Sequence, residues 1–349
     1  MAKRSYSRKG NKIQPAVQTF TFAFTAPGGG ATTTNYIDLS QVASLMNRRF
    51  YRQGINWAVA GFKFLTAGTF AGQLSVNKLP NTWVMSNAWE KSFRAWTKMN
   101  NEAMQEAESV RPKFLDFKIY ADATHHQAGY AANLLPISVN DHLAAGAAAP
   151  GEWESAKVFV PEPYNTVPAA GTDTMNTLEL IASGQSYPGP SAATGFDAVS
   201  LIEGYAASRA LPNLLDPNTP SDAEDTSGST PENWLSAIFN EGTTQSADVL
   251  DELTNENNLA PYPFEGSPGI IDTMYPGGAN QLQGLQIHSI ETVTGTTIGG
   301  ISRVKGGNFP CGLISIDAFN EGDSAGVIVQ IDLIPGNHRG YLCEPMTEM

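Results

Sequence analysis

The sequence predicts an all-β protein, a single β-sandwich of about eight main strands joined by long loops, for which the jelly roll is the nearest common arrangement. Three observations carry this. Segments that alternate apolar and polar residues recur near both ends of the chain. Gly and Pro, 33 and 22 of 349 residues, punctuate its whole length, as short strands with elaborate loops require. Only one long segment has clear helical periodicity. Sandwiches with long loops often exceed 200 residues as one domain, so the length demands no split.

Gln18–Phe24 (QTFTFAF) sets Phe20, Phe22 and Phe24 on one face, with Thr19, Thr21 and Ala23 on the other. That is the period of a half-buried strand, closed by the turn Pro27-Gly28-Gly29-Gly30. Ile55–Leu65 (INWAVAGFKFL) is a second strand, with Gly61 as a bulge position. Gln73–Val76 and Lys118–Tyr120 are weaker strand signals. The best helix lies between them, with Asn87 as its cap and Glu90 completing a capping box. Trp89, Phe93 and Trp96, extended by Met104 and Ala107, form its apolar stripe, and Lys91, Arg94 and Lys98 form a basic one. Such a basic stripe is more often a solvated face than a polyanion contact.

Glu152–Val160, Thr177–Ser183 and Ala198–Arg209 are further apolar segments. Residues 212–230, rich in Pro, Asp, Ser and Thr, predict an exposed loop. Two short acidic helices follow, around Asn233–Phe239 and Asp248–Glu256, before the aromatic turn Pro261-Tyr262-Pro263-Phe264. Strands return at Leu285–Val293, Thr296–Val304, Gly312–Ala318 and Ala325–Ile334. The last alternates Val327, Val329, Ile331 and Leu333 with polar Gln330 and Asp332.

Charge is strongly polarised. Residues 1–118 hold 16 Lys/Arg against 6 Asp/Glu, whereas residues 119–349 hold 5 against 28. A chain of this kind presents one electrostatic face to a polyanion and another to water. Lys3, Arg4, Arg8, Lys9 and Lys12 make residues 1–15 a basic arm with too little apolar content to fold alone. Arg48, Arg49 and Arg52 form a second basic run, interleaved with Phe50 and Tyr51. Guanidinium groups beside aromatic rings suit a nucleic acid with unpaired bases. Pairing of these arginines with acids at subunit contacts is an equally good reading. Residues 210–280 form an acidic insertion within a 16–349 domain.

Catalysis is not indicated. The pair His125-His126 follows Asp122 and Thr124, as a metal site could, but in a strand the two rings would point to opposite faces and could not easily share one ion. Gly28-Gly29-Gly30 and Gly306-Gly307 read as turn glycines, not phosphate loops. The acidic segment lacks the spacing of a calcium loop. Cys311 and Cys343 are too few for a disulfide framework and read as free thiols of a reducing compartment. No segment reads as a secretory h-region, and no apolar run reaches about 18 residues, so neither export nor membrane insertion is expected. No metal or other cofactor is expected.

Several long stretches resemble one family. The basic start MAKRSYSRKG, Thr82–Met99 (TWVMSNAWEKSFRAWTKM), Arg111–Asp122, Gly151–Glu162, Thr292–Ile314 and Ile331–Met349 are similar to capsid proteins of small circular, replicase-encoding single-stranded DNA viruses. The resemblance implies a jelly-roll subunit that assembles with itself into a small icosahedral shell around circular single-stranded DNA. It also implies a virion protein made in the host nucleus or cytoplasm, with an inward DNA-binding arm and an outward acidic insertion that meets a host receptor. About 60 such arms would supply only about 300 positive charges against thousands of phosphates. Arg48, Arg49 and Arg52 are therefore expected to extend the DNA-binding surface. The alternative is a β-sandwich glycan-binding or adhesion module.

Overall fold

A computed structural model of the chain describes residues 15–105, 116–137, 148–161, 175–210, 235, 284–294 and 300–349. The protein is mostly β, with several antiparallel sheets. Eight strands build two layers. β1 (Thr19–Ala26), β2 (Ala31–Asp38), β3 (Ile55–Thr66) and β4 (Gly72–Lys78) come from the first part of the chain. β8 (Gln286–Val293), β9 (Ile301–Phe309), β10 (Leu313–Asn320) and β11 (Ala325–Leu333) come from the last. Their antiparallel pairs nest: β4 with β8, β3 with β9, β2 with β10, and β1 with β11. β11 also pairs with β3, and β10 with β4. One sheet therefore runs β1-β11-β3-β9, extended by the short β14 (Cys343–Pro345) along β3, and the other runs β2-β10-β4-β8.

The alternation of side chains explains the layering. Phe20 and Phe22 of β1, Phe62 and Phe64 of β3, and Val327, Val329 and Ile331 of β11 meet Leu74 and Val76 of β4 and Ile314, Ile316 and Ala318 of β10 in one buried cluster. Each residue set is spaced by two, as a strand with one buried face requires. The sequence-predicted bulge falls one residue early. Ala60, not Gly61, is the unpaired residue where Leu333 faces Val59 and Asp332 faces Gly61. Gly306 and Gly307 also depart from expectation, because they lie inside β9 and not in a turn. A Cβ on Gly306 would sit 1.9 Å from the carbonyl oxygen of Val59, so only glycine lets β9 approach the bulged strand. Of the predicted strand Thr296–Val304, residues 296–299 lie outside the described residues, and β9 runs Ile301–Phe309.

The opposite face of the β2–β10 sheet is covered by a second unit. β5 (Lys157–Pro161), β6 (Met175–Ile181) and β7 (Asp197–Ser200) form a three-stranded sheet, flanked by α2 (Trp83–Gln105) and α4 (Leu201–Ala210). Trp89, Trp96, Val158, Leu180 and Leu201 of this unit bury against Tyr36 and Leu313 of the sandwich. Helix α2 begins earlier than the sequence cap implies. Thr82 takes the first-turn amide of Met85 on its hydroxyl (3.3 Å), and Asn87 lies inside the helix, donating to the Tyr205 hydroxyl. The helix thus starts at Trp83, about one and a half turns before a start at Asn87 would place it.

A buried polar seam joins the two units. Asp38 caps α1 (Leu39–Asn47), accepting from the amides of Ser40 and Gln41, and also accepts from Gln53 Nε2 (3.1 Å) and Trp153 Nε1 (3.0 Å). The Gln53 amide pairs with both backbone groups of Ile119, like a rung of a sheet. His125 and His126 lie on the short helix α3 (Ala123–Ala128), not on a strand, and both are buried. His125 Nδ1 accepts from the Ala121 amide (3.0 Å), so Nε2 carries the proton and donates to Asn133 Oδ1 (2.8 Å). Asn133 in turn donates to Gln41. His126 Nε2 bonds Glu179, which also accepts from Ser155 and Thr194. These histidines are structural members of the seam. Among the described residues no helix is long and apolar enough to cross a membrane.

Candidate nucleic-acid interface

The basic run Arg48–Arg52 is positioned by what surrounds it in sequence. Helix α1 ends at Arg48, which takes a left-handed conformation (φ 52°) and turns the chain out of the helix. Tyr51 is fully buried among Trp57 and Tyr341, and its hydroxyl donates to the carbonyl of Arg339 (3.0 Å). With Tyr51 anchored inward and β3 starting at Ile55, Arg48, Arg49 and Arg52 are left on the surface. Among the described residues neither Arg48 nor Arg52 has a carboxylate at ion-pairing distance.

The entry of the chain into β1 passes beside this run. Arg49 Nη1 donates to the carbonyl of Pro15 (3.1 Å), and the amide of Val17 donates to Asn47 Oδ1 (2.9 Å) at the end of α1. Tyr341 closes the arrangement by donating to the carbonyl of Val17 (2.6 Å). Pro15 is the first described residue, three positions after Lys12. Lys3, Arg4, Arg8, Lys9 and Lys12 themselves lie outside the described residues.

Two cations absent from the sequence reading join the run. Arg339, in the turn between β12 (Pro335–Gly336) and β13 (Gly340–Tyr341), is exposed and left-handed (φ 52°), and its guanidinium donates to the carbonyl of Phe50. Lys118 places its ammonium 4.4 Å from the Trp153 ring centroid and 6.0 Å from that of Phe50, and pairs with Asp116 at 3.2 Å. Burial raises the Asp116 carboxyl above its ordinary value, with Lys118 opposing the rise. A lone arginine in a Pro-Gly-Asn-His-Arg-Gly turn and a lysine in a weak strand signal carry no pattern by themselves. Only the fold brings them to residues 48–52.

Beside these cations lies a groove of about 470 Å³, lined by Arg52, Phe50 and Arg339 together with Phe93, Trp96 and Phe117. Phe93 belongs to the apolar stripe predicted for α2, yet it is 36% exposed, stacked on Trp89 at 5.0 Å and 14°. The basic stripe of α2 is a different matter. Arg94 pairs with Glu90, and Lys98 with Glu102 at 3.7 Å, each one turn away along the helix. Lys91 stands 6.0 Å from the ring of Tyr205. Local acids thus offset part of that stripe.

The acidic segment 210–280 falls outside the described residues, apart from Ala210 and Leu235. Cys311 and Cys343 are free thiols, the first buried and the second partly so, and burial raises both well above the ordinary thiol range. Among the described residues no group of three or more His, Cys, Asp or Glu is placed to hold a metal ion. No protein-family model, curated protein or solved structure matches the chain.

Proposed function

We propose that this chain is a jelly-roll capsid subunit that assembles with itself into a small icosahedral shell and packages circular single-stranded DNA. The observation that carries the reading is the junction at Pro15, the residue that ends the arm, which bonds Arg49 beside the exposed Arg48 and Arg52. A polyanion bound by the arm is thereby led onto a second basic surface that also carries aromatic rings. Neutralising a genome needs many cations, and arm and surface together supply more than the arm alone.

The nested strand pairs support the jelly-roll part of the proposal. Pairing β4 with β8, β3 with β9, β2 with β10 and β1 with β11 is what results when one long hairpin is rolled so that successive strands alternate between two sheets. Such a sandwich leaves its loops free for subunit contacts. On this reading the acidic segment faces outward, keeps particles apart and offers a surface to a host receptor.

Negative-stain microscopy and nuclease-protection assays of the purified full chain test the proposal. Uniform shells that protect DNA are expected. Monomers that persist across salt and pH conditions, with no protected DNA, would sink it and favour the glycan-binding module, for which Phe93 and Asp116 would be the ligand wall.

A further inference from the structure

We infer that the groove lined by Arg52 and Phe93 is a seat for one unpaired nucleotide, its base against Phe93 and its phosphate on Arg52 and Arg339. The inference rests on the DNA-packaging reading and gives it a specific site. Three features of the groove converge on this ligand. First, its lining carries one partly exposed aromatic ring, Phe93, braced edge-on by the buried Phe117 at 5.6 Å. A single unpaired base exposes both faces and stacks on such rings, whereas a paired base in a duplex does not. Second, the lining is also cationic. Arg52 lies 6.0 Å from the Phe50 ring, and Arg339 is tied to the carbonyl of Phe50. Both guanidinium groups therefore have one fixed neighbour and further donors to offer a phosphate. Third, Asp116 is among the lining residues, giving an exocyclic amino group of a base an acceptor.

Size agrees with this occupant. A volume of about 470 Å³ falls in the range of small-ligand clefts and holds a nucleotide, but not a duplex or a folded partner. The charge sign agrees as well, since the lining cations are arginines and the sole lining carboxylate, Asp116, is already paired with Lys118. Arg339, which lines the groove, holds left-handed backbone. Non-glycine residues in that conformation concentrate where surrounding structure fixes a functional side chain.

The test uses the full chain with a ten-nucleotide mixed-sequence single strand and the ten-base-pair duplex of the same sequence. Affinities are read by tryptophan fluorescence and by anisotropy of the labelled DNA. Phe93→Ser should weaken the single strand about tenfold and leave the duplex within about twofold. Phe93→Trp should bind the strand at least as well as the wild type. Arg52→Ser with Arg339→Ser should weaken both ligands and flatten the salt dependence. Ultraviolet cross-linking of a bromodeoxyuridine strand to the unaltered protein, followed by peptide mapping, should label the 89–97 segment of α2. Equal strand affinity for wild type and Phe93→Ser, or cross-links confined to residues 48–52, would overturn the inference. Neither result would touch the capsid reading, which fails only if shells and protected DNA are absent.

Discussion

Arg49 donates to the carbonyl of Pro15 across 3.1 Å, so the start of the described chain is held against the basic run that follows α1. This single bond connects two features that lie more than thirty residues apart in sequence and that composition alone presents as separate.

Replacing Arg48, Arg49 and Arg52 together by Ser should lower the DNA protected per particle while leaving the fold intact, since all three side chains are exposed. The slope of log affinity against log salt for single-stranded DNA should shrink by about 2, from the three cations lost. Protected DNA at wild-type level, with an unchanged slope, would remove these residues from the interface.

Gly306→Ala should be among the costliest small substitutions in the sandwich. The added Cβ meets the Val59 carbonyl at 1.9 Å and Ala60 backbone atoms at 2.5 Å, and none of these can step aside without moving β3. A loss of roughly 2–4 kcal/mol in denaturant unfolding is expected. Gly326→Ala is the control. Nothing lies within 4 Å of its added Cβ, and the change should stay within about 1 kcal/mol.

His125→Ala should cost roughly 2–3 kcal/mol, because it leaves the Ala121 amide and Asn133 Oδ1 buried without partners. The penalty should depend on pH. Burial holds the folded His125 pKa down at about 3, against 6.5 for the unfolded chain. Between those values the unfolded state binds the extra proton, so the contribution of His125 is full above pH 6.5 and is lost as pH falls toward 3. The gap between wild type and variant should therefore narrow on acidification. A gap that widens would contradict the neutral, Nε2-protonated ring.

Asp38 should show the opposite trend. Asp38→Ala removes the cap of α1 and strands Gln53 and Trp153, for a loss of roughly 2–4 kcal/mol near neutrality. Burial lifts the Asp38 carboxyl to about 6 from 3.8. Here the folded state holds the extra proton, so the wild type gains on the variant as pH falls from 6 to 3.8. Paired unfolding curves at pH 7 and 5 for both variants read the two signs against each other.

The strands of the sandwich are legible in the sequence because each has one buried face. Phe20 and Phe22, or Val327 through Leu333, need only a period of two to declare themselves. The Gly306-Gly307 pair misleads for a physical reason: glycine marks both turns and close strand contacts, and only the bulge at Ala60 distinguishes them here. Helix α2 is visible by its Trp and Phe spacing, but its start depends on a weak Thr82 cap. Glu152–Val160, Thr177–Ser183 and Ala198–Arg209 stand out as apolar segments and overlap β5, β6, and β7 with α4, but their joining into one sheet and the polar seam are illegible. Asp38, Gln53, His125 and Asn133 are scattered over about a hundred residues, and each is polar for a partner that only the tertiary fold supplies. The candidate site divides in the same way. Arg48, Arg49 and Arg52 announce themselves as a run, whereas Arg339 and Phe93 become neighbours of that run only after β3 and α2 are packed.

The pairing of β1 with β11 has a consequence for biosynthesis. Thr19 faces Asp332, so β1 leaves the ribosome some three hundred residues ahead of its partner β11, about the length of a large domain. Through most of translation the nascent chain displays Phe20 and Phe22 with no sheet to receive them, and only post-synthetic closure hides them. Pairings of such long sequence separation form slowly. Until β11 is made, the apolar face of β1 is a surface for holdases, so holdase capacity, more than elongation speed, should set the yield.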